Sequence, residues 1–404
     1  MPDGPARRAY LDHASSSPLR PGARQAMLPW LGHPGDPGRI HAEGRAARVA
    51  LEEAREQVAA FFGARPREVI FTSGGTEAVN AAIFGAAARA AEGVALRNTL
   101  REAADSDGRT QPVAVGDPHL VVSAVEHSAV LEAAHRAGRV TMAGVDGVGR
   151  FEPATVLAAV RPDTALVSVQ LANHEVGTVQ PAAEVVAAAR ERGVLTHVDA
   201  CAAAGHLPVD FAALGADLCS VTAHKLGGPK GIGALIVRRG LRIPPFHLGG
   251  AQERNRRAGI ENVAAAVGFA AAVGELNGER LAAEAGAARR LTDRLLSEAP
   301  KEIERLRIFG DVDNRLPHLV CFGVEGVEAE PVLLGLDQRG VAVHSGSSCS
   351  SETFEPSPVL SAMGVDADHS LRVSVGWSST ADDVDAFLAA LPDVIARLRQ
   401  LRTG

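Results

Sequence analysis

The sequence predicts an α/β fold in which helices cover both faces of a mostly parallel β-sheet, with a smaller α+β unit after it. Short apolar stretches typical of buried strands alternate with Ala-rich helical stretches up to about residue 262. From residue 263 the helices lengthen, and further strand-like stretches follow. The chain has 404 residues and is 46% hydrophobic, which is enough for a large core.

The predicted elements follow one another in a clear order. After an irregular opening, "AEGRAARVALEEAREQVAAFFG" has the spacing of an amphipathic helix. The predicted strands of the sheet read "EVIFTSGG", "HLVVSAV", "TALVSVQLAN", "VLTHVDA", "DLCSVTA" and "GALIVRR". Residues 96–118 are polar and aperiodic, which predicts an exposed, partly disordered insertion. The strand-like stretches of the smaller unit are "HLVCFGV", "VAVHSG" and "LRVSVGW".

Composition excludes several classes of function. The net charge of −7 and the absence of a basic block argue against direct nucleic-acid binding, and no apolar run reaches the length of a membrane span. The first residues lack the apolar core of a signal peptide. The four cysteines, Cys201, Cys219, Cys321 and Cys349, are too far apart for a paired metal motif or a disulfide framework. We therefore expect a cytoplasmic protein with reduced thiols and no metal site.

Lysine is rare in this chain. Among 41 basic residues only Lys225, Lys230 and Lys301 are lysines, so arginine has taken most generic basic positions. Arginine stays protonated and cannot form an imine with an aldehyde, whereas lysine can. Lys301 lies on a predicted helix and is read as a surface residue. Lys225 follows a predicted strand, and this position makes it the candidate for imine formation.

Polar residues follow the ends of four predicted strands, where parallel sheets collect functional groups. "FTSGGTEAVN" places two glycines and Thr76 at the start of a helix, an arrangement that can hold a phosphate. "VEHSAV" places His127 after its strand, and "HVDA" places Asp199. Taken alone, each motif is better explained by structure: the glycines as a structural turn, His127 as a core histidine and Asp199 as a helix cap.

The fourth strand end, "VTAHKLGGPKG", adds a threonine, a histidine and Lys225. Together the four ends supply a phosphate cradle, an aromatic group, a carboxylate and a lysine that can form an imine. Pyridoxal phosphate requires this combination: an anchored phosphate, a covered ring face, a carboxylate on the ring nitrogen and a lysine on the aldehyde.

The motifs resemble those of the cysteine desulfurases, pyridoxal-phosphate enzymes of fold type I in the class-V aminotransferase group. The resemblance covers nearly the whole chain apart from residues 96–118. The stretches that carry it are "YLDHASSSP", "SGGTEAVN", "VEHSAV", "NHEVGTVQP", "HVDA", "TAHKLGGPKGIGAL", "RRAGIENV", "SGSSCSSE" and "LRVSVG". We expect a fold-type I homodimer whose protomer has an N-terminal segment (1–20) associated with the small domain, a large cofactor-binding domain (21–262) and a small C-terminal domain (263–404).

The resemblance also implies the role of each site residue. Lys225 carries the cofactor, Asp199 faces the ring nitrogen, and His127 stacks on the ring and moves protons. Cys349, on a loop of small residues, takes sulfur from L-cysteine and leaves L-alanine, then presents its persulfide to an acceptor protein. The other implied residues are Gly75, Thr76, Thr222 and His224 for the phosphate, Arg372 for the substrate carboxylate, and His174 beside the ring hydroxyl and the substrate.

Three positions depart from the pattern of the desulfurases. His174 stands where many members have Asn, Ala202 stands where Gln is usual, and Ile260 replaces a Thr that commonly reaches a phosphate across the dimer interface. We expect weaker or retuned cofactor binding, with His174 compensating for Ala202. Cys201, Cys219 and Cys321 are expected to be structural.

Two other functions remain open at this point. One is a selenocysteine lyase or another cysteine C–S lyase of the same fold, which need not depend on Cys349. The other is a catalytically silent relative that serves as a scaffold for a sulfur-acceptor protein. The sequence does not name the acceptor: an iron–sulfur scaffold, a tRNA-thiolation enzyme, a DNA phosphorothioation system and other thiocofactor pathways are all compatible with it.

Overall fold

The computed structural model describes residues 8–104, 117–345 and 357–403. Its strands are β1 (Ala9–Tyr10), β2 (Val69–Thr72), β3 (His119–Ser123), β4 (Arg139–Ala143), β5 (Thr164–Gln170), β6 (Leu195–Asp199), β7 (Leu218–Thr222), β8 (Gly233–Val237), β9 (Leu306–Phe309), β10 (Leu319–Val324), β11 (Val341–Ala342) and β12 (Ser370–Ser374). Its helices are α1 (Pro21–Leu31), α2 (Ala42–Phe61), α3 (Gly75–Ala104), α4 (Ser128–Ala137), α5 (Pro153–Ala158), α6 (Ala182–Glu191), α7 (Phe211–Leu214), α8 (Gln252–Asn255), α9 (Val263–Glu275), α10 (Gly278–Glu302), α11 (Ala329–Asp337), α12 (Pro358–Ala362) and α13 (Ala381–Thr403).

A seven-stranded, mostly parallel sheet forms the larger part of the described chain. Its strand order is β2-β8-β7-β6-β5-β3-β4. The strands from β7 through β4 in that order are mutually parallel, and β8 runs antiparallel to both β7 and β2. The carboxyl ends of β2, β3, β5, β6 and β7 therefore meet at one edge of the sheet. The predicted α/β architecture is confirmed.

The sheet is buried on both faces. Along β3, Leu120 and Val122 pack into one apolar cluster, and Val121 packs into the cluster on the opposite face. This alternation follows from the pleat of a strand. Because helices cover both faces, β3, β6 and β7 are built of buried residues almost throughout.

A three-stranded antiparallel sheet, β12-β10-β9, forms in the C-terminal part of the described chain. Close to it, β1 pairs in parallel with β11, and Ala9 and Leu11 share an apolar cluster with Phe322 of β10 and Val373 of β12. Helix α9 instead joins the cluster of the seven-stranded sheet. The division of the chain at residues 20 and 262 stays a prediction; the packing of α9 favours a second boundary after this helix.

The first part of the predicted insertion at 96–118 is helical and not a loop. Residues 96–104 continue helix α3, and residues 105–116 lie outside the described part of the chain. In the described ranges, every helix falls short of the length or apolarity that a membrane crossing requires.

Candidate active site

A cavity of about 280 Å³ opens at the edge of the seven-stranded sheet where the carboxyl ends meet. Nine of the ten predicted site residues line it: Gly75, Thr76, His127, His174, Asp199, Thr222, His224, Lys225 and Arg372. The tenth, Cys349, lies outside the described residues. Residues that are far apart in sequence are thus brought together, as expected for polar groups that follow parallel strands.

The glycine turn after β2 forms one wall of the cavity. Gly75 is the first residue of α3, and a Cβ at this position would lie 2.7 Å from the Sγ of Cys201. A Cβ at Gly233 would meet the backbone of Gly74 at 2.8 Å, so the turn crosses closely over the start of β8. A Cβ at Gly74 itself would meet no atom within 4 Å, so open space adjoins the turn. At the N-terminus of a long helix, unpaired N–H groups and the helix dipole favour an anion in such a space.

Thr222, His224 and Lys225 follow the end of β7. The Thr222 Oγ1 and His224 Nδ1 atoms are 2.8 Å apart, within hydrogen-bonding distance. Burial, reinforced by the charges of Lys225 and Lys230, lowers the pKa of His224 to about 4. The imidazole is therefore neutral at neutral pH. Its hydrogen bond with the Thr222 hydroxyl fixes the orientation of that hydroxyl.

Asp199 ends β6 and is held from the following turn. Its Oδ1 accepts a hydrogen bond of 2.9 Å from the N–H of Cys201. Burial, together with the negative charge of Asp199, raises the pKa of the Cys201 thiol well above its usual value. The sequence suggested a structural role for Cys201, yet the residue lines the cavity beside Gly75.

His127 and His174 lie side by side in the cavity. His127 is the N-cap of α4, and its Nδ1 accepts a 3.0 Å hydrogen bond from the N–H of Ala129. Because Nδ1 accepts, a neutral His127 ring carries its proton on Nε2. The ring centroids of His127 and His174 are 5.0 Å apart, with an interplanar angle of 57°.

Arg372 reaches the cavity from the middle of β12 and is 1% exposed. Its Nη1 donates to the carbonyl of His174 at 2.9 Å; its Nη2 donates to Asp12 Oδ1 at 3.1 Å and to Ser15 Oγ at 2.6 Å. Among the described residues, its buried Nε has no hydrogen-bond partner. An unpaired buried donor on a residue that lines a cavity is a group that a ligand carboxylate can satisfy.

Glu126, next to His127 in the sequence, was not predicted as a site residue. Its Oε1 accepts hydrogen bonds from the Ser123 hydroxyl and from the N–H of Gln170, while its Oε2 has no partner among the described residues. Burial, with a smaller contribution from Asp199, raises the pKa of this carboxyl to about 8. Glu126 is therefore largely protonated at neutral pH, a property that no local sequence signal indicates.

The three departures from the desulfurase pattern fall in different places. His174 and Ala202 line the cavity. Ile260 does not, and it is 64% exposed on the single chain.

A model of the class-V aminotransferase family matches residues 9–97 and 109–387. The chain belongs to this family. Its relatives include the cysteine desulfurase IscS of Dictyoglomus turgidum, 40% identical over 403 residues that make up 98% of this chain and 96% of the relative. Another is the IscS-like cysteine desulfurase of Mycobacterium tuberculosis, 40% identical over 97% of each chain.

Solved structures agree with this assignment. A NifS-like protein is 29% identical, covers 97% of this chain over 100% of its own length, and superposes with a TM-score of 0.81. SspA in complex with cysteine is 28% identical, covers 92% of this chain over 100% of its own length, and has a TM-score of 0.76. The resemblance to cysteine desulfurases and the fold-type I architecture are confirmed.

Class-V aminotransferases use pyridoxal phosphate, and the residues of the cavity fit this cofactor. The glycine cradle at the start of α3 leaves space for a phosphate, Asp199 offers a buried carboxylate to a ring nitrogen, and Lys225 offers an amine to an aldehyde. The side chain of Ala202 cannot form a hydrogen bond with the cofactor. The imidazole of His174 can donate or accept one.

Proposed function

We propose that this protein is a pyridoxal-phosphate-dependent cysteine desulfurase that converts L-cysteine to L-alanine and collects the sulfur as a persulfide on Cys349. The observation that carries the proposal is the convergence of Lys225, Asp199, His127 and Arg372 on one cavity. Two further facts support it: relatives about 40% identical over almost the whole chain are cysteine desulfurases, and a solved neighbour binds cysteine.

Four sets of residues would hold the cofactor. Lys225 attaches it, Asp199 accepts the N–H of its ring, and Thr222, oriented by His224, joins the N–H groups at Gly75 and Thr76 around its phosphate. When bound, pyridoxal phosphate withdraws electrons from the α-carbon of the substrate and thereby weakens the bonds around it. The buried carboxylate of Asp199 favours the protonated ring, which makes that withdrawal stronger.

The substrate would be oriented by Arg372, whose unpaired Nε donates to its carboxylate. His127 lies at the N-cap of α4 with its Nε2 available to move a proton between the substrate and the protein. His174 stands beside both groups and offers its imidazole to the ring hydroxyl or to the substrate. The amine of Lys225, which lines the same cavity, would serve as a second proton carrier.

The sulfur step balances without an added redox agent. The C–S bond of cysteine breaks, an S–S bond forms to the Cys349 sulfur, and a proton takes the place of sulfur on the alanine β-carbon. One thiol and one cysteine thus give one persulfide and one alanine. We include in the proposal a homodimer and delivery of the persulfide sulfur to an acceptor protein.

The experiment follows alanine and sulfur together. The protein, loaded with pyridoxal phosphate, receives ³⁵S-labelled L-cysteine, and alanine and label on Cys349 are quantified without reductant. We expect equal amounts of both. Cys349→Ser should lower alanine formation by about 10²-fold or more, whereas Cys219→Ala, a matched change at a fully buried thiol outside the cavity, should keep it.

Other outcomes would replace the proposal. Full sulfur release by Cys349→Ser would indicate a lyase that does not use this thiol, and a strong preference for selenocysteine would indicate a selenocysteine lyase. A wild-type protein that takes up no cofactor, and so matches a colourless Lys225→Ala variant, would indicate a scaffold.

A further inference from the structure

Glu175, directly after His174, places a carboxylate in the interior beside the cavity. The residue is 1% exposed. Its Oε1 lies 3.5 Å from His174 Nε2, and its Oε2 accepts a hydrogen bond from the hydroxyl of Ser357. A buried carboxylate is unfavourable unless donors or cations surround it, so these contacts hold both partners as well as the carboxylate.

The carboxylate is not needed to shape its own turn. The side-chain oxygen of Asn173 accepts hydrogen bonds of 2.8 Å from the N–H groups of Glu175 and Val176. The Asn173 amide in turn donates to the carbonyl of Val125 at 3.1 Å, and Gly177 supplies the positive φ of 80° that closes the turn. The backbone is therefore fixed without Glu175, and the contacts of its side chain serve another purpose.

Ser357 holds the far side of the carboxylate. It is fully buried and caps helix α12, where its oxygen accepts a 3.1 Å hydrogen bond from the N–H of Leu360. Because the oxygen accepts from Leu360, the hydroxyl proton is directed to Glu175. The helix cap and the carboxylate therefore fix each other.

His174 is held twice. Arg372 donates to its carbonyl at 2.9 Å, which fixes the backbone, and Glu175 contacts its ring, which fixes the side chain. Its ring also contacts His127. His174 therefore links two groups that line the cavity: its backbone carbonyl binds the guanidinium of Arg372, and its side chain is the imidazole that contacts Glu175.

We propose that Glu175 is a positioning residue: supported by Ser357, its carboxylate orients the imidazole of His174 toward the cofactor and substrate. The proposal rests on the proposed function for its substrate, and it assigns Glu175 no contact with the reacting atoms.

The test is a double-mutant cycle between His174→Asn and Glu175→Gln. Gln keeps an acceptor for Ser357 but loses the charge that faces His174. In the wild-type background we expect Glu175→Gln to raise KM for L-cysteine roughly three- to tenfold and to leave kcat within about twofold, because ground-state orientation is lost. In the His174→Asn background the same change should alter KM by less than about twofold, because its target is absent.

A second readout does not require turnover. The dissociation constant of pyridoxal phosphate, titrated by absorbance into cofactor-free protein, should follow the same non-additive pattern across the cycle. If the wild type binds the cofactor but does not desulfurise cysteine, the proposed function fails while this readout still decides the role of Glu175.

Two further variants separate positioning from stability. Ser357→Ala should raise KM for L-cysteine and the dissociation constant of pyridoxal phosphate, but by less than Glu175→Gln does. If Glu175→Gln does not fold, Ser357→Ala takes its place in the cycle. Asp217→Asn removes a buried carboxylate bound to Thr196 and Arg238 outside the cavity, and it should lower stability without changing either constant. Equal effects of Glu175→Gln in both backgrounds of the cycle would overturn the proposal.

Discussion

The two sheets bury polar side chains in the middle of strands, but they leave these side chains in different states. His197 lies within β6 of the larger sheet, and both of its ring nitrogens have partners: Ser168 at 2.8 Å on β5 and Ser220 at 2.8 Å on β7. Arg372 lies within β12 of the smaller sheet and lines the cavity; two of its nitrogens have partners, and its buried Nε has none among the residues that the structure describes.

The comparison separates structural from functional burial of polar groups. Both ring nitrogens of His197 form hydrogen bonds with serine hydroxyls. These contacts explain why a polar side chain is buried in the middle of the sheet. Arg372 uses its outer nitrogens to tie three segments together, and its Nε has no partner in the described part of the chain. A buried polar residue indicates a binding site when a donor remains unpaired and a cavity adjoins it.

The first prediction changes Arg372, where we expect the largest effect. Arg372→Lys keeps the charge but has a single donor nitrogen, which cannot occupy the separate positions of Nη1, Nη2 and Nε that face His174, Asp12 and a substrate. Cysteine binding should weaken by about 2–3 kcal/mol, or roughly 30- to 150-fold in KM. Steady-state kinetics on the loaded enzyme would measure it.

The matched control for that change is Arg55→Lys. Arg55 is also buried and donates through both Nη atoms to Glu253, but it does not line the cavity. This variant should lose stability with KM unchanged. A similar rise in KM in both variants would remove the distinction drawn from the unpaired donor.

The second prediction concerns His197→Gln. Burial lowers the pKa of His197 to about 4, against 6.5 for an exposed imidazole. The unfolded chain therefore binds the proton first as pH falls, and the stability that His197 contributes is complete above pH 6.5 and is lost toward pH 4. Replacing it should cost about 1–3 kcal/mol at pH 7 and flatten the fall in stability below pH 6.5.

Chemical denaturation at several pH values would check the His197 prediction. KM for cysteine serves as the contrast with Arg372 and should stay within about twofold. A tenfold change in KM would show that a fully paired residue can also control binding.

The third prediction uses Glu126 as an intermediate case: one of its carboxylate oxygens has no partner within the described ranges, yet the residue does not line the cavity. Its pKa of about 8 exceeds the usual 4.5, so the folded chain holds a proton that the unfolded chain releases. The corresponding stability is present below pH 4.5 and is lost as pH rises toward 8.

Glu126→Gln should remove that loss. Relative to the wild type, the variant should gain about 1–3 kcal/mol in free energy of unfolding between pH 5 and pH 8. Urea denaturation at the two pH values is the measurement. An equal difference between variant and wild type at both would mean that Glu126 is ionised in the fold.

Much of the site could be read from sequence because its signals are local. A buried strand followed by a polar residue marks Asp199, Thr222 and His127, and the geometry of parallel sheets brings such ends together. The glycine pair before Thr76 is equally local. The role of each residue came from resemblance to a family and stays part of the proposal, as does that of Cys349.

The residues that sequence reasoning missed have partners that are distant along the chain. Glu175 contacts Ser357, 182 positions away, and Cys201, which was predicted to be structural, reaches the cavity wall because it lies against Gly75. The helical continuation of α3 through residues 96–104 was also missed, because polar, aperiodic sequence gives no helical signal.

The sequence by itself determined the alternation that produces a parallel sheet, the cluster of polar residues at its strand ends, and the placement of a rare lysine among them. The tertiary structure decided which of these polar groups have hydrogen-bond partners among the described residues and which do not. Arg372 and Asp12, 360 positions apart, form one ion pair, while the Nε of Arg372 has no partner in the described segments. The physical reason is that strand and turn propensities act over a few residues, whereas burial and hydrogen-bond pairing depend on whichever segments the fold brings into contact.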